Sequence, residues 1–262
     1  MTWVEALILG IIQGLTEFLP VSSSGHLEIG NVLLGVQDSD NLLFAIVVHG
    51  ATALSTIMVF RQEIIDIFRG VLQFTCNDSW KYAIKMIISL LPVMLIGLMF
   101  KDTIESFFTG NLLLVGSMLI VTSLLLLFSS FKKAHDGEVS YVGALVMGLA
   151  QAFAILPGIS RSGATIATGL LLGFDKAKVT QFSFLMVLVP ILGASLLQLK
   201  DYLELPDSTQ SISGFALVVG FVAAFVSGYI ACRWMLTIVR KGKLVYFAIY
   251  CGIAGIVAIV FS

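Results

Sequence analysis

Two short stretches of an otherwise oily chain carry side chains that do chemistry. Leu15 to His26 reads LTEFLPVSSSGH and holds Glu17, Ser22, Ser23, Ser24, Gly25 and His26; Leu156 to Thr165 reads LPGISRSGAT and holds Ser160, Arg161, Ser162, Gly163 and Thr165. Each charged group is expensive in hydrocarbon unless paired or wetted. A planar guanidinium such as Arg161 suits the oxygens of a phosphate. Glu17 with His26 supplies the acid, base or nucleophile that phosphoryl chemistry requires. Two plainer readings compete: serines that only cap helices, and an ion pair between Glu17 and Arg161 that only holds the structure together. Neither explains His26.

Both stretches need elements that present them. The chain has 262 residues, 58% hydrophobic and 12% charged, with a mean hydropathy of +1.01. A soluble domain has about 25% charged residues, so this is an all-α polytopic membrane protein, a single domain over 1–262. Its net charge of -1 gives no bulk attraction to nucleic acid, and Cys76, Cys232 and Cys251 lack metal-type spacing. Met1–Gly10 has neither a basic start nor a small-residue cleavage site and reads as retained.

A span needs roughly 20 apolar residues, and six stretches qualify, at about 42–60, 84–100, 111–131, 180–199, 214–235 and 244–262. Two more apolar regions, 4–36 and 141–174, are broken by Pro20 with its serines and by Pro157, Gly158 and Ser160. Proline removes a backbone donor and turns the preceding residue away from helix. Each region therefore reads as a re-entrant hairpin of two short helices. With both hairpins returning to their own face, eleven basic residues fall on one side (Arg61, Arg69, Lys81, Lys85, Lys132, Lys133, Lys176, Lys178, Arg240, Lys241 and Lys243). The opposite loops hold Lys101 and Lys200 among Asp38, Asp40, Asp102, Glu105, Asp201, Glu204 and Asp207. The basic side is cytoplasmic by the positive-inside rule, which puts both termini outside.

An offset of 138 residues aligns the two broken regions without a gap and gives ten identities over positions 6–35, among them Gln13 with Gln151, Ser22 with Ser160, Ser24 with Ser162 and Gly25 with Gly163. The expected architecture is six full spans plus two hairpins, arranged as inverted-topology repeats over approximately 1–131 and 139–262. Such repeats place a polar site near the midplane, where the hairpin tips meet. There the serine- and glycine-rich starts of two helices make an anion cradle. Where the repeats differ, Glu17, Ser23 and His26 stand opposite Ile155, Arg161 and Ala164, which reads as division of labour.

Gly10 to His26 and Leu156 to Thr165 resemble the two signature segments of the bacterial undecaprenyl-diphosphatase (bacitracin-resistance) family, and the likeness in length and layout runs over essentially the whole chain. Gln13 and Glu17 fill a Glu/Gln-x-x-x-Glu pattern, Ser22 to His26 a Ser-Ser-x-Gly-His run, and Pro157, Gly158, Ser160, Arg161, Ser162 and Thr165 the second pattern. The resemblance implies hydrolysis of undecaprenyl diphosphate to undecaprenyl phosphate, the lipid carrier for cell-wall precursors, in the bacterial plasma membrane. It further implies a site opening to the outer face and a divalent cation, Mg2+ or Ca2+. Many members have Glu where this chain has Gln13, so any protein ligation of metal falls to Glu17 with the Gln13 carbonyl, and phosphate oxygens or water must complete the shell.

On this reading Glu17, His26, Ser23 and Arg161 are the catalytic set, and Gln13, Ser22, Ser24, Gly25, Ser160, Ser162, Gly163 and Thr165 bind substrate. The nucleophile stays open among His26, Ser23 activated by His26, and water. His49 reads as a hydrogen-bonded packing residue, His135 as a solvated loop residue, and Glu5 and Glu28 as non-catalytic. A transporter or flippase of a phosphorylated lipid is the rival class, since inverted repeats with broken helices are transporter architecture. The phosphatidic-acid phosphatase type is disfavoured, because no histidine follows Ser160-Arg161. Oligomeric state is open, a homodimer included.

Overall fold

A computed structural model describes residues 1–36, 38–100, 104, 107, 111–132, 137–204 and 212–262, and no side chain of 38–42, 201 or 203. The loop residues Lys101, Asp102, Glu105, Lys133, His135 and Asp207 lie outside the described residues. Among the described residues the regular elements are helices, apart from one isolated parallel bridge between Gly137 and Phe174. In chain order they are α1 (Trp3–Phe18), α2 (Ser23–Leu34), α3 (Asp38–Val59), α4 (Arg61–Val71), α5 (Asp78–Met99), α6 (Leu112–Phe131), α7 (Tyr141–Phe153), α8 (Arg161–Leu171), α9 (Lys176–Met186), α10 (Leu188–Leu203), α11 (Gly214–Arg240) and α12 (Val245–Val260).

Among the described residues, four helical stretches are long and apolar enough to cross a bilayer: Asp78–Met99, Leu112–Phe131, Lys176–Lys200 (α9 continued by α10) and Gly214–Arg240. A fifth results if Leu43–Val59 and Arg61–Val71 are taken together, but this pair bends by 74°. The expected span at 42–60 therefore ends at a sharp turn, at Phe60. The expected span at 244–262 is a helix of 16 residues, about 24 Å at 1.5 Å per residue and so shorter than a typical hydrocarbon core. Large apolar side chains stand exposed around the outside, among them Leu98, Phe128, Phe153, Ile230 and Ile253. In water such a surface would aggregate; in lipid it is the solvated face.

Both broken regions break where the prolines and glycine predict. α1 stops at Phe18, two residues before Pro20, and α7 stops at Phe153, ahead of Pro157 and Gly158. The two tips reverse the chain differently. In the second, Gly158 takes the left-handed backbone (φ +94°), leaving the cap Ser160 extended. In the first, Pro20 occupies the corresponding place and cannot adopt positive φ, so Ser22 takes it instead, at φ 70°.

α1 packs along α11 and α7 along α5, while α6 packs against α12. The close approaches are glycine contacts, as expected where lipid supplies no hydrophobic drive and backbones must come near. A Cβ on Gly14 would collide with Ser227 and the Ala224 carbonyl, and one on Gly158 with the Val115 carbonyl. Gly97 has nothing within 4 Å of its missing Cβ. Gly14→Ala and Gly158→Ala should each destabilise the detergent-purified protein by about 1–3 kcal/mol, the usual range for overpacking. Gly97→Ala should hold or raise stability. Thermal melting followed by size-exclusion chromatography reads all three.

Candidate active site

The site is assembled from the ends of the four half-helices. Serine caps explain how the broken backbone survives in an apolar setting. Ser22 Oγ accepts the Gly25 amide at 3.3 Å, and Ser160 Oγ accepts the Gly163 amide at 3.0 Å. Ser22 and Ser24 hydroxyls lie 3.4 Å apart, and Ser160 and Ser162 hydroxyls 3.3 Å apart. The capping role expected as the plain reading thus holds for Ser22 and Ser160. It leaves the amides of the first two residues of α2 and α8 without intrahelical acceptors, by the geometry of any helix start.

The tips touch. A Cβ on Gly25 would stand 3.6 Å from Gly158 Cα, and one on Gly163 would stand 3.2 Å from Pro20 Cβ. Ser162 Oγ donates to the Leu19 carbonyl of the other tip at 3.2 Å. Neighbouring helices complete the support: the Thr122 hydroxyl accepts the Ser160 amide at 3.0 Å, and Cys251 Sγ reaches the Pro20 carbonyl at 3.4 Å.

Between the tips sits the carboxylate of Glu17, which is 9% exposed. Its Oε2 accepts from the Ser23 hydroxyl at 2.7 Å and from Gln13 Nε2 at 3.0 Å, and its Oε1 accepts from Arg161 Nη2. The Arg161 side chain is partly exposed, at 28%. The ion pair that the plain reading anticipates therefore forms, but it includes a serine hydroxyl that a structural pair does not need. Gln13 Oε1 is buried without a partner. His26 is not attached to this cluster: Nδ1 faces the Ser22 carbonyl at 2.8 Å and Nε2 the Tyr250 hydroxyl at 2.6 Å. Ser23 thus donates to Glu17, and both His26 nitrogens have other partners, where the sequence left open His26 as the partner of Ser23.

A small cleft lies beside the ion pair, lined by Glu17, Arg161, Ser162 and Thr165 on its polar side and by Phe184 and Ile191 among its apolar residues. The Thr165 hydroxyl faces Ser183 Oγ at 2.6 Å rather than standing free. Sequence reading missed Ser183 and Tyr250, two hydroxyls with no flanking motif. His49 bonds through Nδ1 to the Ala45 carbonyl at 2.8 Å.

Removing one partner of a buried pair strands the other charge, which typically costs about 3–5 kcal/mol, whereas replacing both by apolar groups is often neutral or stabilising. Arg161→Ala should therefore lower thermal stability markedly. Glu17→Leu/Arg161→Leu should melt near the parent protein, as read by the same chromatographic assay.

A family model described as bacitracin resistance protein BacA matches residues 6–257. The chain is 56% identical over 260 residues to the undecaprenyl-diphosphatase of Parabacteroides distasonis, covering 99% of this chain and 98% of the relative. It is 53% identical over 261 residues to that of Bacteroides thetaiotaomicron, covering 99% of each. At greater distance, 39% identity over 276 residues relates it to the undecaprenyl-diphosphatase of Methanobrevibacter smithii, covering 98% of this chain and 96% of the relative. With full-length relatives of that name and a match over nearly every helix that builds the two tips, the chain belongs to the bacitracin resistance protein BacA family.

Proposed function

We propose that the chain is an undecaprenyl-diphosphatase, hydrolysing undecaprenyl diphosphate to undecaprenyl phosphate and inorganic phosphate. The observation that carries the mechanism is the Ser23–Glu17–Arg161 chain, a hydroxyl and a guanidinium meeting on one carboxylate. Ser23 Oγ attacks the terminal phosphorus as its proton passes to Glu17, and the bond to the bridging oxygen breaks. Undecaprenyl phosphate leaves, and water then cleaves the phosphoserine to restore Ser23 and release phosphate. Arg161 swings between Glu17 and the phosphoryl oxygens, where its charge offsets that developing in the transition state. The free amides at the starts of α2 and α8, with Ser24, Gly25, Ser162 and Gly163 keeping the approach narrow and small, cradle the diphosphate. Glu17 is the base of the first step, and His26, one turn beyond Ser23 on the same side of α2, takes the proton of the water that cleaves the phosphoserine.

The fit of a divalent cation turns on oxygens. Glu17 already accepts three hydrogen bonds and stands against a guanidinium, and the described residues hold no group of three or more His, Cys, Asp or Glu that could hold a metal ion. These residues do not make a protein-built site for a hard cation, which takes six or more oxygens, and no step above runs through one. In our reading Mg2+ or Ca2+ arrives on the substrate's diphosphate, and Gln13 Oε1, buried beside Glu17, is the protein oxygen left with unused lone pairs.

The finer architecture is part of the same proposal: α1/α2 and α7/α8 as re-entrant hairpins of two inverted repeats, in the bacterial plasma membrane, with the site open to the outer face. Reciprocal contacts support it. At the offset of 138, Gly25 beside Gly158 corresponds to Gly163 beside Pro20, and Gly10 against α11 corresponds to Gly148 against α5.

Two experiments test these readings. Phosphate release from undecaprenyl diphosphate, with and without Mg2+ or Ca2+, should fall at least about 100-fold in Ser23→Ala and Glu17→Gln, the scale of a lost nucleophile or base; a phosphoserine at Ser23 should be trapped by acid quench and mass spectrometry. Lipid binding without turnover in the parent protein would instead favour a transporter. In a cysteine-free background, an impermeant maleimide applied to intact cells should label Thr2→Cys and spare Lys241→Cys; the reverse pattern would overturn the orientation.

A further inference from the structure

The imidazole of His26 is held at both nitrogens, and only one holder belongs to the hairpin that carries it. Nδ1 lies 2.8 Å from the Ser22 carbonyl oxygen. A carbonyl only accepts, so in the neutral ring Nδ1 bears the proton and Nε2 presents its lone pair. The Tyr250 hydroxyl, 2.6 Å from Nε2, is the donor that this lone pair receives. The two rings are also stacked, with centroids 5.6 Å apart and planes 18° from parallel. Turning the imidazole over would break both hydrogen bonds, putting Cδ2 against the carbonyl and Cε1 against the phenol.

Tyr250 is well fixed for such a role. It sits on α12, whose next residue, Cys251, reaches the Pro20 carbonyl, so the helix touches the first tip at two consecutive positions. α12 is in turn seated on α6 through Gly116 and Gly255 and through a 2.6 Å bond from Ser123 Oγ to the Ala248 carbonyl. The flanking residues Tyr246, Ile249 and Ile253 are exposed, on what the span makes a lipid-facing side. A phenol hydroxyl there needs a polar partner, and His26 is the one it has.

We propose that Tyr250 is a positioning residue for His26. Its hydroxyl donates to Nε2 while the ring is neutral and accepts from Nε2–H once the ring has taken a proton, so the imidazole keeps one orientation through both states. This rests on the reading that His26 takes a proton in the proposed reaction. It adds a residue from the far end of the chain to a site whose other members all come from the two hairpins.

The test is a double-mutant cycle on phosphate release from undecaprenyl diphosphate, using the full chain in detergent. Tyr250→Phe keeps the stacked ring and removes the hydroxyl. It should lower kcat by about 10- to 100-fold, the range seen when an outer partner of a working imidazole is lost, and leave KM within about twofold. Combined with His26→Ala, it should add nothing to the loss caused by His26→Ala alone. Tyr250→Gln, which keeps a donor without the ring, should recover part of the kcat that Tyr250→Leu loses. Nitrogen-15 spectra of histidine-labelled protein, with His26 assigned by its absence in the alanine variant, should show one tautomer in the parent and a mixture in Tyr250→Phe. Tyr250→Phe within twofold of the parent, or losses that multiply in the double variant, would overturn the proposal. An unaffected His26→Ala would remove the imidazole from the reaction and Tyr250 with it, while leaving the roles of Ser23, Glu17 and Arg161 standing.

Discussion

A carboxylate buried in an apolar helical assembly dictates most of what surrounds it. Glu17 lies where an unpaired charge would cost several kcal/mol, so a cation must reach it, and Arg161 does so from the opposite hairpin. That pairing requires two helix breaks to face each other within touching distance. Touching distance in turn requires glycine, at Gly25, Gly158 and Gly163, and serine caps that satisfy the interrupted backbone without bulk. A Cβ on Gly163 would press on Pro20 of the other tip at 3.2 Å, and one on Gly158 would collide with the Val115 carbonyl of α6.

The surrounding helices are arranged to keep those tips in place. α6 and α12 each put a side chain on one tip: Thr122 on the Ser160 amide, Cys251 on the Pro20 carbonyl. α11 and α5 back the first half-helices through glycine contacts. Because packing in lipid gains little from burying apolar surface, such steric fit and a few well-made hydrogen bonds have to do what a hydrophobic core does in water. The contacts that hold the two tips together are therefore among those that hold the fold together.

Much of this was legible in residue types alone. Pro20, Pro157 and Gly158 marked the breaks, and Ser22 and Ser160 marked the helix starts that follow them, because proline and serine act through local backbone chemistry that needs no tertiary context. The long spans were equally readable from their apolar length. The bend after α3 and the shortness of α12 were not, since both depend on where the chain turns inside a run that stays apolar on either side. Nor were the partners of His26 and Thr165. Ser183 and Tyr250 belong to no motif, and only the packing of α9 and α12 brings them to the hairpins.

The division between conserved architecture and local chemistry can be read within this one chain, from its offset of 138 residues. Positions that are the same in both stretches (Ser22 and Ser160, Ser24 and Ser162, Gly25 and Gly163) are those that cap the helices and let the tips approach. The position that differs at the first residue of each helix, Ser23 in one and Arg161 in the other, is the one that reaches Glu17 from both sides. Two serines there would leave the carboxylate without a counter-charge. Two arginines would leave it without a proton to take. One of each gives a carboxylate with a counter-charge and a hydroxyl donating to it, an asymmetry that backbone capping does not need and that the proposed attack on a phosphorus centre does.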